Sequence, residues 1–351
     1  MKSTSAVALM ISLWALSGWG WGVTQAAEPS LGSSFKEWCQ KQASLSAEAR
    51  KTVEVLLKQA GTSDCELAAK NLLSRTALYF GTGEISDLSP LSGFTNLKEL
   101  ELRANSITDV SPLSRLTNLR KLGLGTSQIT DISPLAGISN LTELDIHGNS
   151  IIDFSPLGRL TNLEKLYLSH NDITDISFLA RLTNLKTLDL RLNQIIDVSP
   201  LARLTNLTEL DLDDNQIKDV SSLAGLTNLT QLDLNNNQIK DVSPLVGLTN
   251  LTQLSLTNNK ITDVNPLAGL TNLSWLDLGN NPIIDVSPLA GLTNLKWLIL
   301  SENQITDVSS LGRLANLEKL YLTDNPLTQT VCPISPPTVC EFEDLPPAKT
   351  Y

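Results

Sequence analysis

Histidine and methionine are the rarest residues of this chain, and its basic charge falls short of its acidic charge. Two histidines and two methionines occur among 351 residues. Histidine is the side chain that most often moves protons near neutral pH, so acid–base catalysis has few places to begin. Ser, His and Asp side chains occur, but no motif joins them, and no glycine-rich loop follows a strand to cradle phosphate. Neither enzymatic activity nor a cofactor is expected. Lys and Arg number 26 against 37 Asp and Glu, for a formal net charge of −11 and a pI near 4.7. Nucleic acid and anionic lipid both require the opposite sign, so neither is an expected partner.

Long apolar runs are missing too, outside the first 27 residues. There Lys2 supplies a positive start, Ala6–Leu16 an apolar run and Thr24-Gln25-Ala26-Ala27 a small-residue exit, which together read as an export signal. The alternative is an uncleaved anchor, because apolar character continues through Trp19 and Trp21 to Val23. Gly18, Gly20 and Gly22 weaken it, and a run of about 18 residues is at the short limit for a span. Export points to the periplasm, the cell envelope or the medium. Four cysteines lie in two clusters, Cys39 with Cys65 and Cys332 with Cys340. An even count in an exported chain suggests disulfides. Of the three pairings open to four cysteines, Cys39–Cys65 with Cys332–Cys340 alone leaves the two ends untied.

What the chain does have is a sentence repeated every 22 residues. LTELDLDDNQIKDVSSLAGLTN from Leu207 is followed from Leu229 by LTQLDLNNNQIKDVSPLVGLTN. Full-quality rows open at Leu97, Leu119, Leu141, Leu163, Leu185, Leu207, Leu229, Leu251, Leu273 and Leu295, a weaker one at Arg75 and a truncated one at Leu317. A fixed period of this size marks a solenoid, in which each unit buries its apolar edge against its neighbours. In the row of Leu207, Leu210 and Leu212 have strand spacing and point inward, while Ile217, Val220, Leu223 and Leu226 close the same small core. Successive turns run in one direction, so the strands pair in parallel, and about twelve rungs give a sheet on the order of 55 Å long.

The polar columns read as structural. Asparagine recurs at the turn after each strand, as at Asn193, Asn215 and Asn237, where an amide can satisfy backbone groups that water cannot reach. Ser127 interrupts it and marks a softer rung. An aspartate column runs unbroken from Asp87 to Asp307, and Asp197-Val198-Ser199-Pro200 reads as a helix start with Ser accepting and Pro in the first turn. Only a short 3₁₀ turn fits before the chain must return. Asn140, Asn206, Asn228 and Asn250 match the glycosylation pattern but are the repeat's own ending. Before the repeats, Ser46 caps a helix ending at Gly61, and Ser63 with Glu66 forms a capping box for a second helix with Leu67, Leu72 and Leu73 inward. Phe35, Trp38 and Cys39 indicate a short third piece. After the repeats, CPISPPTVC is too proline-rich to continue a strand or helix and folds over the last rung. The expected organisation is an export signal over 1–27, a helical cap over 28–74, repeats over 75–328 and a proline-rich, disulfide-bearing cap over 329–351. The expected fold class is an α/β solenoid with a curved parallel sheet.

The template LxxLxLxxNxIxDVSPLxxLTN resembles the 22-residue class of leucine-rich repeats in bacterial internalin-type proteins, over residues 35 to about 328. The resemblance implies a helical cap, a curved solenoid and a protein partner on the concave sheet. No immunoglobulin-like module, LPxTG signal or wall-binding repeat accompanies it, so surface anchoring and host-cell invasion are not implied.

Function falls to the strand positions that do not repeat. Trp275 and Trp297 stand in one column, Ile299 and Tyr321 in the next, all on a face meant for solvent. Large aromatics are enriched in binding hot spots, though the C-terminal cap could instead bury these. Asp189, Asp211, Asp213, Asp214 and Asp233 form an acidic patch suited to a basic partner surface or simply to solubility. His147 and His170 lie on adjacent rungs, but no metal site is expected of them. The chain reads as an exported monomeric binding scaffold. The alternatives are a carbohydrate-binding or structural envelope protein, and an intracellular repeat protein of the phosphatase-regulatory type.

Overall fold

The computed structural model describes residue 32 and residues 34–342; the export segment Met1–Ala27 and the last nine residues of the chain lie outside them. Among the described residues, thirteen parallel strands form a single curved, unclosed sheet in chain order. They are β1 (Ala77–Tyr79), β2 (Glu99–Glu101), β3 (Lys121–Gly123), β4 (Glu143–Asp145), β5 (Lys165–Tyr167), β6 (Thr187–Asp189) and β7 (Glu209–Asp211). The series continues with β8 (Gln231–Asp233), β9 (Gln253–Ser255), β10 (Trp275–Asp277), β11 (Trp297–Ile299), β12 (Lys319–Tyr321) and β13 (Cys340–Glu341). Each strand is three residues long within the repeats, with its middle leucine inward. Pairing is in register, so Leu188, Leu210, Leu232 and Leu254 stack on one another. Leu212, Ile217, Val220, Leu223 and Leu226 are all buried, as their spacing requires.

The strands are short because the chain turns into the left-handed region just after them, at Leu192, Asp214, Asn236, Asn258 and Asn280 among others. Asparagine and aspartate accept that conformation; for Leu192 it is strained and must be held by the stack. The buried asparagine column closes the turn. Asn215 donates through Nδ2 to the carbonyls of Leu190, Leu212 and Asp213, each at 3.1 Å, and accepts the Ile195 amide at 2.9 Å. One side chain thus ties two rungs. Ser127 cannot do this: among the described residues its buried Oγ has no partner, and Ile107, counterpart of Ile85 and Ile129, has no asparagine to donate to. Ser127→Asn is expected to complete the ladder and raise the thermal midpoint by about 3 °C. Scanning calorimetry checks this, and a lowered midpoint would show that the rung is closed in another way.

The row-ending asparagines form a second, exposed ladder. Asn140, Asn206, Asn228 and Asn250 donate to the carbonyls of Thr117, Thr183, Thr205 and Thr227 at 2.8–2.9 Å.

On the opposite side each row makes a 3₁₀ turn such as Ser199–Arg203. The aspartate column does cap these turns, but the roles within the motif differ from expectation. Asp197 Oδ1 accepts the Ser199 amide at 2.8 Å, while the Ser199 hydroxyl donates to Asp197 Oδ2 at 2.9 Å. The serine is the first residue of the turn and a donor; the carboxylate is the acceptor. Backbone donation from Ser199 holds the Asp197 carboxyl below the usual carboxylate range.

The N-terminal cap has three helices, α1 (Phe35–Gln40), α2 (Ala47–Ala60) and α3 (Cys65–Leu73). Ser46 accepts from the Ala49 amide at 3.1 Å, and Gly61 ends α2 with φ at 71°. The capping box at Ser63 and Glu66 is not formed. Asp64 caps α3 instead, taking the Glu66 and Leu67 amides at 2.9 and 2.8 Å. Leu67, expected inward, is exposed, whereas Leu72 is buried. Cys39–Cys65 links α1 to α3, and Phe35 packs edge-on against Phe94 of the first rungs.

The other end corrects part of a second expectation. The proline-rich segment does fold over the last rung, with Ile334 and Val339 buried against it, but it also enters a helical turn and a strand. Pro337–Val339 makes a 3₁₀ turn with proline in its first turn, and Cys340 then enters β13 opposite Leu320. Cys332–Cys340 closes the loop that brings it there. β12 is thereby capped edge-on, and on the outer face of the sheet Tyr321 is the ladder residue that becomes buried beside this segment.

Candidate functional site on the concave face

The two outer residues of each strand face away from the core, so the concave surface is a grid of two columns, extended by the residue two positions beyond. Three regions follow along it. Near the N-terminal cap, Gly123 of β3 and Gly125 just beyond it leave a gap in two columns of the face. A Cβ on Gly123 would meet Glu101 Oε1 at 2.2 Å, and one on Gly125 would meet the His147 ring at 2.3 Å. Across this gap Arg103 reaches two rungs to the buried Asp145, Nε to Oδ2 at 2.6 Å. Asp145 Oδ1 also lies 2.6 Å from His147 Nδ1. His170 is not beside this network, since it occupies a left-handed turn with φ at 59°. The two-rung ion pair was missed from sequence, although the two glycines in one row were its signal.

In the middle, Asp189, Asp211 and Asp233 stand side by side on β6, β7 and β8. Asp213 lies next to them and accepts the Asn236 amide group at 2.8 Å. Asp214 does not join the patch: it sits in the exposed left-handed turn. A shallow cavity of about 260 Å³ opens here, lined by Tyr167, Arg191, Glu209, Gln231, Gln253 and the three column aspartates among others. Arg191 was not singled out beforehand, yet it moderates the patch, 3.4 Å from Asp189 and 3.7 Å from Asp211. Burial raises the Asp211 carboxyl to about 6, with Asp189 and Asp213 adding to it. Burial raises Asp233 to about 7, helped by Asp211, Asp213 and Asp277. The patch therefore carries less charge at neutral pH than a count of aspartates implies.

Toward the C-terminal end, Trp275, Trp297 and Tyr321 form a ladder. The two indoles stack at 5.4 Å between centroids with planes 23° apart, and Trp297 and Tyr321 at 6.3 Å and 29°. Ile299 pairs with Asp277 on one side and Tyr321 on the other. Trp275, Trp297 and Ile299 remain half-buried, while Tyr321 is buried beside β13. Lys319 is ion-paired with Glu341 at that edge. The alternative expectation, that the C-terminal segment buries the aromatics, applies to Tyr321 alone.

The sequence matches the family described as Leucine Rich repeats (2 copies), in overlapping windows over 95–291 and again over 293–335. The chain is similar to the crystal structure of an internalin (inlF) from Listeria monocytogenes, with 39% identity and a TM-score of 0.75 over 78% of this chain and 82% of that one. It is also similar to internalin C2 from the same organism, with 40% identity and a TM-score of 0.50 over 53% of this chain and 83% of that one. The plant peptide hormone receptor RGFR1, solved in complex with RGF2, shares the fold at 23% identity and a TM-score of 0.57, over 67% of this chain and 45% of that one. No curated protein matches the chain.

Proposed function

Because the chain belongs to the leucine-rich-repeat proteins of the bacterial internalin type, we propose that it is an exported, monomeric scaffold that captures a protein partner on its concave sheet. The supporting observation is the Trp275–Trp297–Tyr321 ladder. Two half-buried indoles on a solvent-facing sheet gain by being covered further, and tryptophan and tyrosine are the side chains most enriched where binding energy concentrates. Export is supported by two closed disulfides at the two ends of the chain, since such bonds persist in oxidising compartments.

The test is capture of envelope proteins on immobilised chain, comparing the native protein with a Trp275→Ala, Trp297→Ala double variant. Affinity for whatever is captured is expected to fall about a hundredfold, while the thermal midpoint moves by less than about 3 °C. Unchanged capture by the double variant would sink the proposal. A large fall in midpoint would instead identify the ladder as a structural element of the end rungs.

A further inference from the structure

The concave face changes character at β9. Asp189, Asp211 and Asp233 precede it in one column and Asp277 follows, but β9 itself carries Ser255. Asp233 and Asp277 thus stand one rung to either side of a short hydroxyl, roughly 10 Å apart by strand spacing. Asp233 Oδ1 accepts the Asn235 amide at 2.9 Å, and Asp277 Oδ1 accepts the Gly279 amide at 3.0 Å together with the Thr257 hydroxyl. The second oxygen of each carboxylate has no partner among the described residues. Both carboxylates are half-buried, and neither is ion-paired among those residues. Desolvated acids in this position gain from a cation that the chain does not itself supply.

The aromatic ladder ends at the same strand. Trp297 has Trp275 on one face and Tyr321 on the other, so only its edges are open. Trp275 has one face covered, and its free face looks toward β9, where Gln253 stands in register. A cation over Ser255 would have carboxylates on two sides and an indole face on a third, the arrangement that favours guanidinium or ammonium groups. A sugar ring packs flat on an exposed aromatic face; Trp297 offers none, and the one free face, on Trp275, lies beside the unpaired carboxylates.

We propose that the concave face takes an extended basic polypeptide segment laid across the strands, with an arginine or lysine over Ser255 between Asp233 and Asp277 and an apolar side chain against Trp297 and Ile299. This rests on the concave-face function proposed above and names the partner's chemistry. The spacing follows from geometry. From β9 to β11 is two rungs, roughly 9.6 Å at the usual strand separation. A polyproline-II segment advances about 9.3 Å in three residues and returns its side chain to the same side. The recognised pattern is therefore a basic residue three positions from an apolar one.

The probes are acetylated nine-residue Gly/Ser peptides holding one arginine and one leucine, with one, two or four residues between them, and counterparts with glutamate for arginine. Binding is read from the indole fluorescence of the full chain, and cellohexaose serves as the glycan comparison. The two-residue spacer is expected to bind best, and at least about tenfold more tightly than its glutamate counterpart. Asp233→Asn and Asp277→Asn should each weaken it about fivefold to tenfold. Ser255→Lys, which places a cation of the chain's own in the gap, should abolish the preference for arginine while leaving the protein folded. Equal binding of arginine and glutamate peptides would overturn the proposal, as would full affinity in the Asp233→Asn, Asp277→Asn double variant. If no peptide binds but capture still depends on Trp275 and Trp297, the concave-face function stands and the basic segment falls. If cellohexaose binds and no peptide does, both fall.

Discussion

Asn215→Ala is expected to lower the thermal midpoint by about 10 °C, a loss of about 3–5 kcal/mol, while Asn206→Ala lowers it by no more than about 2 °C. The two residues are nine apart, Asn206 closing one row and Asn215 standing in the next, and each belongs to a column that recurs along the repeats. Their surroundings decide the difference. Asn206 makes one exposed bond, to the Thr183 carbonyl at 2.9 Å, and water can replace it. Asn215 is buried and serves four backbone groups from two rungs. Its truncation strands the Ile195 amide and the Leu190 carbonyl where water cannot reach, at about 1–3 kcal/mol for each unsatisfied group. A solenoid has only neighbour contacts across that rung, so the loss also weakens coupling between the two halves. Denaturant unfolding of Asn215→Ala should broaden or split into two steps. Equal midpoints for the two variants would show that the buried ladder is not what holds the rungs.

Acidification should stabilise the protein over a range in which most proteins are indifferent or weakened. Asp211 and Asp233 bind protons up to about 6 and about 7 in the fold, against about 3.9 in an unfolded chain. Between those limits the folded chain holds more protons than the unfolded one, so stability falls as pH rises through the window. The 3₁₀-capping aspartates do not oppose this. Asp131, Asp197, Asp241, Asp285 and Asp307 are shifted downward by donation from the serine that follows, so their contribution is lost only below the usual carboxylate range. Water still reaches the concave face, so the full shifts overstate the energy, and about 2 kcal/mol in total is a realistic size. The midpoint should be about 4–6 °C higher at pH 5 than at pH 7.5. The Asp211→Asn, Asp233→Asn double variant should flatten that difference by gaining stability at pH 7.5. A native midpoint that drops between pH 7.5 and 5 would contradict the assignment.

Much of this was legible beforehand because a repeat shows each job many times. Leu210, Ile217 and Asn215 each perform in one rung what their counterparts perform in the next. The period says nothing where the choice falls to a single residue. Ser63 and Asp64 are both able to cap, and the choice falls to whichever one the backbone leaves extended ahead of α3. Cys340 reads as part of a proline-rich loop, yet the open edge of β12 supplies the hydrogen bonds that make it a strand. In the acidic patch, five aspartates were visible but their separation was not. Asp214 leaves through the left-handed turn, Arg191 bridges two of the others, and depth sets the charge of the rest. Column positions follow from the period; protonation follows from burial, which the period does not encode.

The in-register pairing of Leu188, Leu210, Leu232 and Leu254 has a consequence for how such a chain can be inherited. Any two rows present the same upper and lower surfaces, so an unequal crossover that removes or duplicates one row rejoins matching faces. The solenoid can thus be lengthened or shortened in steps of about 4.8 Å without a new core having to be selected. What such an exchange alters is the order of side chains along the ruler. Losing the row from Leu229 to Asn250 would bring Asp211 beside Ser255 and leave the distance to the indoles unchanged. Gaining a row between Ser255 and Trp275 would move the indoles, and Asp277 with them, one notch away from Asp233. Partner preference in this architecture can change by recombination alone, before any side chain mutates.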